Sequence, residues 1–107
     1  MRIYIEGGDS FSLDLVSEVA DNIKHANGWA VAAVIVRDET QPAALEAKTW
    51  AREQSVVFRE NPDYLRENPD VALLFPGSSH RAFRALMAAK VPVYRITPEG
   101  RYTKYGS

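Results

Sequence analysis

Val71-Ala72-Leu73-Leu74-Phe75-Pro76-Gly77-Ser78-Ser79-His80-Arg81 decides the fold. Five consecutive apolar residues leave neither face of a strand for water, which suits a strand inside a parallel sheet better than a half-exposed hairpin strand. Pro76-Gly77 stops the run, and Ser78 or Ser79 can cap a following helix. That helix carries Phe83, Leu86 and Met87 on one side and Arg81, Arg84 and Lys90 elsewhere. Strand, turn and capped helix together make one βα unit.

The same grammar extends outward. Val91-Pro92-Val93-Tyr94-Arg95-Ile96 is a further strand, with Pro92 at an edge or a strand start because it cannot donate to a ladder. Upstream, Arg2-Ile3-Tyr4-Ile5-Glu6 reads as a strand stopped by Gly7-Gly8. Ser10 or Ser12 can cap a helix through about His25, with Leu13, Val16, Val19, Ala20 and Ile23 at helical spacing, ended by Asn27-Gly28. Trp29 to Val36 is a second strand with both faces apolar, and after the polar loop Arg37 to Gln41, Pro42 opens a helix to about Gln54. Ser55-Val56-Val57-Phe58 is the third strand, followed by a short helical piece from Asn61-Pro62 to Glu67. The string Arg-Glu-Asn-Pro-Asp occurs at 59–63 and again at 66–70, which is too close for a repeat architecture and reads as two similar cap-like turns. The segment 97–107 lacks an apolar face and is expected to be a loose tail, although Tyr102 and Tyr105 can dock.

This order predicts one domain over 1–107, an α/β fold of Rossmann-like, doubly wound three-layer type, with a five-stranded, mostly parallel sheet in the order 3-2-1-4-5. Ligands of such sheets sit beyond the carboxyl ends of the strands where the winding reverses, here between strands 1 and 4. The loops at that point are Gly7-Gly8-Asp9-Ser10 and Pro76-Gly77-Ser78-Ser79-His80.

Composition narrows the chemistry. The 107 residues include no cysteine and two histidines, which removes thiolate zinc sites, disulfides and thiol nucleophiles and leaves no expected metal or cofactor. A net charge of −1 argues against general nucleic-acid binding. The charge is uneven: residues 1–54 hold five basic and nine acidic side chains, residues 55–107 eight and five. No apolar run approaches the roughly 20 residues of a membrane span, no signal-peptide pattern opens the chain, and a cytoplasmic location is expected.

Gly7-Gly8 permits close backbone approach, serving either a ligand or merely the turn. Asp9 would repel a phosphate there and suits ribose hydroxyls, a base edge or a cation better. Ser78, Ser79, the free amides behind Pro76-Gly77 and Arg81 together can bind a phosphate, pyrophosphate or carboxylate; ordinary capping is the alternative. His80 is either a general acid or base or a solvated side chain, and Asp38 with Glu39 either holds Mg²⁺ or forms a solvated loop. Glu60 and Asn61 are weaker candidates, and Trp50 reads as packing.

Gly7-Gly8-Asp9-Ser10-Phe11, Asp70 through Gly77 and Lys90-Val91-Pro92-Val93 stand in the order and spacing of a known family. The chain resembles the SLOG superfamily of Rossmann-like nucleotide-ligand-binding domains, and most the small YspA/YpsA-related branch. The resemblance implies a nucleotide or nucleotide-derived ligand at the loops just named. Related hydrolases and deoxyribosyltransferases use a glutamate on or near the helix after strand 4, but Arg81-Ala82-Phe83-Arg84-Ala85 contains no carboxylate, which implies binding without catalysis. The loop Val36 to Pro42 also lacks the branch's glycines. Two other readings stand beside this one. One is a protein-interaction or homo-oligomeric module that has lost its ligand, as on phages or mobile elements, where short members of the branch occur. The other is a residual nucleotide hydrolase using Asp38, Glu39 or His80.

Overall fold

The structure is a computed structural model. It describes residues 1–11 and 14–106. The elements are β1 (Arg2–Glu6), α1 (Leu15–Asn27), β2 (Ala33–Val36), α2 (Pro42–Gln54), β3 (Val57–Glu60), a 3₁₀ turn (Tyr64–Glu67), β4 (Val71–Leu74), α3 (His80–Ala88), β5 (Val93–Ile96) and β6 (Tyr102–Tyr105). They build one sheet in the order β3-β2-β1-β4-β5-β6. The first five strands are parallel and β6 runs antiparallel to β5.

The all-apolar strands are buried on both faces, as their sequences require. Ile3 and Ile5 of β1 turn toward α1 and α2, joining Val34, Val36, Leu73 and Trp50 in the larger core. Tyr4, one residue out of phase, turns to the other face with Ile35, Ala72, Leu74 and Leu86, beneath α3 and the 3₁₀ turn. Register places Tyr4 between Ile35 of β2 and Ala72 of β4, so β1 is central and its carboxyl end lies at the reversal of winding.

Three expectations are corrected. The sheet has six strands rather than five, because the expected loose tail forms β6. Thr97 and Gly100 close a turn, in which the Gly100 amide donates to the Thr97 carbonyl at 2.9 Å and the Thr97 amide to the Arg101 carbonyl at 2.8 Å. Tyr102 then packs edge-on to Tyr94 and Tyr105 edge-on to Phe83, one on each face, so no single apolar face appears in the sequence. The strand expected from Trp29 begins only at Ala33, and the one expected at Ser55 runs over Val57–Glu60. Ser10 does not cap α1: the residue before the helix is Asp14, in the left-handed region at φ 68°, with no side-chain cap. The alternatives placed on Ser12 and Leu13 fall outside the described residues.

The repeated Arg-Glu-Asn-Pro-Asp strings lock to one another. Arg59 Nε of the first copy lies 2.6 Å from Glu67 Oε1 of the second, and Arg66 Nε of the second lies 2.9 Å from Asp63 Oδ2 of the first. Asn61 Nδ2 donates to the other Glu67 oxygen at 2.9 Å. The pairing fixes the 3₁₀ turn, and hence Tyr64, over the sheet.

Candidate functional site

β1 ends on Glu6, whose position alternates with Ile5 and therefore shares the Tyr4 face. Glu6 is fully buried, the one charged side chain in the core among the described residues. Such a carboxylate persists only when each lone pair is met. Tyr4 Oη and Arg37 Nε donate to Oε1, the latter at 3.1 Å, while the Ser79 amide and hydroxyl lie 2.9 and 3.4 Å from Oε2. Glu6 thus ties β1 to the residue after β2 and to the residue before α3. Ser79 accepts the Ala82 amide at 3.0 Å, the ordinary work of an N-cap.

Tyr64 lies flat on Tyr4, with ring centroids 4.0 Å apart and planes 15° from parallel. Burial, then the hydrogen bond and charge of Glu6, pushes the Tyr4 phenol far above its ordinary range, so it remains a proton donor. Burial raises Tyr64 as well, against the opposing pull of Arg37 and Arg81. Burial alone would lower Arg37, but the Glu6 carboxylate outweighs it and holds the guanidinium charged.

Above this stack opens a crevice of about 280 Å³, lined by Arg37 and Arg81, the rings of Pro62 and Tyr64, Ser79, and the small side chains Ala82 and Ala85. No carboxylate is among its lining residues. Arg37 spends Nε on Glu6, and its side chain is 39% exposed. Arg81 makes no ion pair among the described residues. The arrangement offers two guanidinium groups beside an aromatic wall, a combination suited to an anion attached to a planar or apolar body.

The sequence-predicted residues divide. Arg81 and Ser79 line the crevice. Gly7, Gly8, Asp9, Pro76 and Gly77 form a contact of loop against loop: the Asp9 amide donates to the Pro76 carbonyl at 3.1 Å, and a Cβ on Gly77 would stand 2.2 Å from the Asp9 nitrogen. A Cβ on Gly7 would meet Phe75 at 2.8 Å and Ala43 at 3.0 Å. Gly7 and Gly77 are therefore demanded by packing, whereas a Cβ on Gly8 would stand 3.2 Å from the Gly77 carbonyl oxygen. Ser78 donates its amide to Phe75, Ser10 is exposed, and His80 is exposed with its ring 6.0 Å from Phe83. Asp38 closes a turn on Thr40, accepting its amide at 2.9 Å and its hydroxyl at 2.7 Å; these bonds lower its pKa. Glu39 pairs with Lys48 at 2.9 Å. Among the described residues no hydrogen bond joins His80 to either carboxylate, and no three side chains converge as a metal site.

Four contributors escaped the sequence reading: Tyr4, Glu6, Arg37 and Tyr64. A signal existed for one of them, since a carboxylate on the inward phase of an otherwise apolar strand needs partners inside the protein. Comparison with protein-family models, curated proteins and solved structures gives no match. No helix among the described residues is long and apolar enough to cross a membrane.

Proposed function

We propose that this chain is a non-catalytic binding domain for a nucleotide or nucleotide-derived signal, taken up in the crevice between Arg37 and Arg81 at the carboxyl edge of the sheet. The observation that carries the reading is the pair of guanidinium groups flanking Tyr64, with no carboxylate lining the space between them. Phosphate meets the guanidinium groups, and Pro62, Tyr64 and the two alanines receive an apolar or planar part. The volume lies near the lower end of small-molecule sites, roughly 300–1,000 Å³, which suits a fragment of mononucleotide size. The Rossmann-like sheet order and the sequence resemblance to SLOG domains support the same class of ligand. Absence of catalysis is supported by Glu6, whose two oxygens are both engaged by donors of the fold itself.

The test is calorimetric titration with ADP-ribose, cyclic nucleotides and common nucleoside phosphates. Binding that falls at least tenfold in Arg81→Ala supports the reading; silence across the panel at millimolar concentration overturns it.

A second reading, self-association, is favoured by one feature. β6 forms a sheet edge carrying Tyr102 and Tyr105, 43% and 39% exposed. Light scattering decides it, since a mass that stays monomeric at every concentration removes it.

A further inference from the structure

We infer that the crevice continues into a second anion subsite on the outer face of α3, centred on Arg84, so that the ligand carries at least two phosphate groups. The inference rests on the nucleotide reading above and specifies its ligand.

The crevice does not end at Arg81. Arg81 and Ala85 also line a shallower trough of about 570 Å³, whose other walls are His80, Arg84 and Ala88. Arg81, Arg84, Ala85 and Ala88 recur at helical spacing, so they share one face of α3. The alanines keep the floor of the trough low, and the two arginines stand one turn apart beside it. A group seated between Arg37 and Arg81 therefore has a direct path to Arg84 without leaving the surface.

Charge supports an anion along this path. No aspartate or glutamate occurs anywhere from Val71 to Pro98, while Arg81, Arg84, Lys90 and Arg95 do. Neither Arg81 nor Arg84 has an ion-pair partner among the described residues. Arg95 is otherwise engaged, lying over the Phe83 ring at 4.8 Å. The first turn of α3 contains no acidic residue of its own; the carboxylate that meets its start is Glu6, from β1, 2.9 Å from the Ser79 amide. The crevice, at about 280 Å³, lies just under the roughly 300–1,000 Å³ typical of small-molecule sites, and the adjoining trough extends it.

The experiment compares mono- and diphosphates of adenosine, guanosine, cytidine and uridine by calorimetry on the parent protein and on Arg84→Ala. For the base that binds, the parent should take the diphosphate about tenfold more tightly than the monophosphate, the size expected of one further charged hydrogen-bonded contact. Arg84→Ala should bind the two equally, with monophosphate affinity unchanged. Equal affinities in the parent, or an advantage surviving in Arg84→Ala, overturn the second subsite and leave the nucleotide reading standing. No binding by any of the eight compounds overturns the second subsite, and the nucleotide reading falls with it only if ADP-ribose and the cyclic nucleotides are silent as well.

Discussion

Glu6 and Arg37 lie 3.1 Å apart, yet one is wholly inside the protein while the other's side chain is 39% exposed. The pair is a strut from the core to the crevice: the carboxylate is anchored by Tyr4 and Ser79, and the guanidinium is aimed by the carboxylate. Removing the inner partner leaves the Tyr4 hydroxyl and the Ser79 amide without acceptors. Glu6→Ala should lower unfolding free energy by about 2–5 kcal/mol, since two buried donors each lose their acceptor at roughly 1–3 kcal/mol. Urea denaturation measures it, and a loss below about 1 kcal/mol would mean that the network carries no structural weight.

Arg37→Ala and Arg81→Ala should separate. Arg81 is exposed and unpaired among the described residues, so its loss should weaken nucleotide binding at least tenfold with stability changed by less than about 0.5 kcal/mol. Loss of Arg37 should weaken binding comparably and also destabilise, because Glu6 then keeps a buried charge with one donor fewer. Thermal unfolding beside titration distinguishes the two.

Gly77→Ala should be far worse than Gly28→Ala. Both residues have positive φ, 84° and 65°, so each alanine carries the left-handed penalty of roughly 1–2 kcal/mol. At Gly28 nothing stands within 4 Å of the added Cβ, whereas at Gly77 the Asp9 nitrogen is 2.2 Å away. An added cost of about 1–3 kcal/mol for forcing the loops apart is expected only at Gly77. Equal melting temperatures for the two variants would contradict the loop packing described above.

Glu46 gives a prediction in pH. It lies on α2 with Oε1 lacking a hydrogen-bond partner among the described residues, and burial, helped by the Asp14 charge, raises its pKa above 4.5 against the opposing pull of the Val16 and Asp14 backbone. The fold holds this proton more tightly than the unfolded chain does. The stabilisation is therefore complete below the unfolded pKa and is lost as pH rises through the folded one. Relative to the parent, Glu46→Gln should gain stability between pH 4 and pH 7, a gain kept small by the partial exposure of the side chain. Denaturation midpoints at the two pH values measure it, and a gain in the opposite direction would contradict the burial.

Strands with both faces apolar were legible because burial on two sides leaves an unbroken hydrophobic run, as in β2 and β4; β1 followed from its β-branched and aromatic residues stopped by Gly7-Gly8. β6 was not, since Tyr102 and Tyr105 serve opposite faces of an edge and their spacing matches no single-face period. The site was half legible. Ser79 and Arg81 stand in a cap and its first helical turn, where local sequence is informative. Glu6, Arg37 and Tyr64 meet only because parallel pairing and the interlocked Arg-Glu-Asn-Pro-Asp strings bring three loops together, and no local pattern encodes such a meeting.

The bond from Ser79 to Glu6 places a permanent internal occupant at the start of α3. Many anion sites are strained when vacant, since helix amides and cations face each other with nothing between them. Here the chain supplies its own counter-ion, so the start of α3 and Arg37 are already compensated from within the fold. Capture of a ligand should then resemble a key entering a finished lock, with little ordering of the chain and little change in its hydrogen-exchange pattern away from Arg37 and α3.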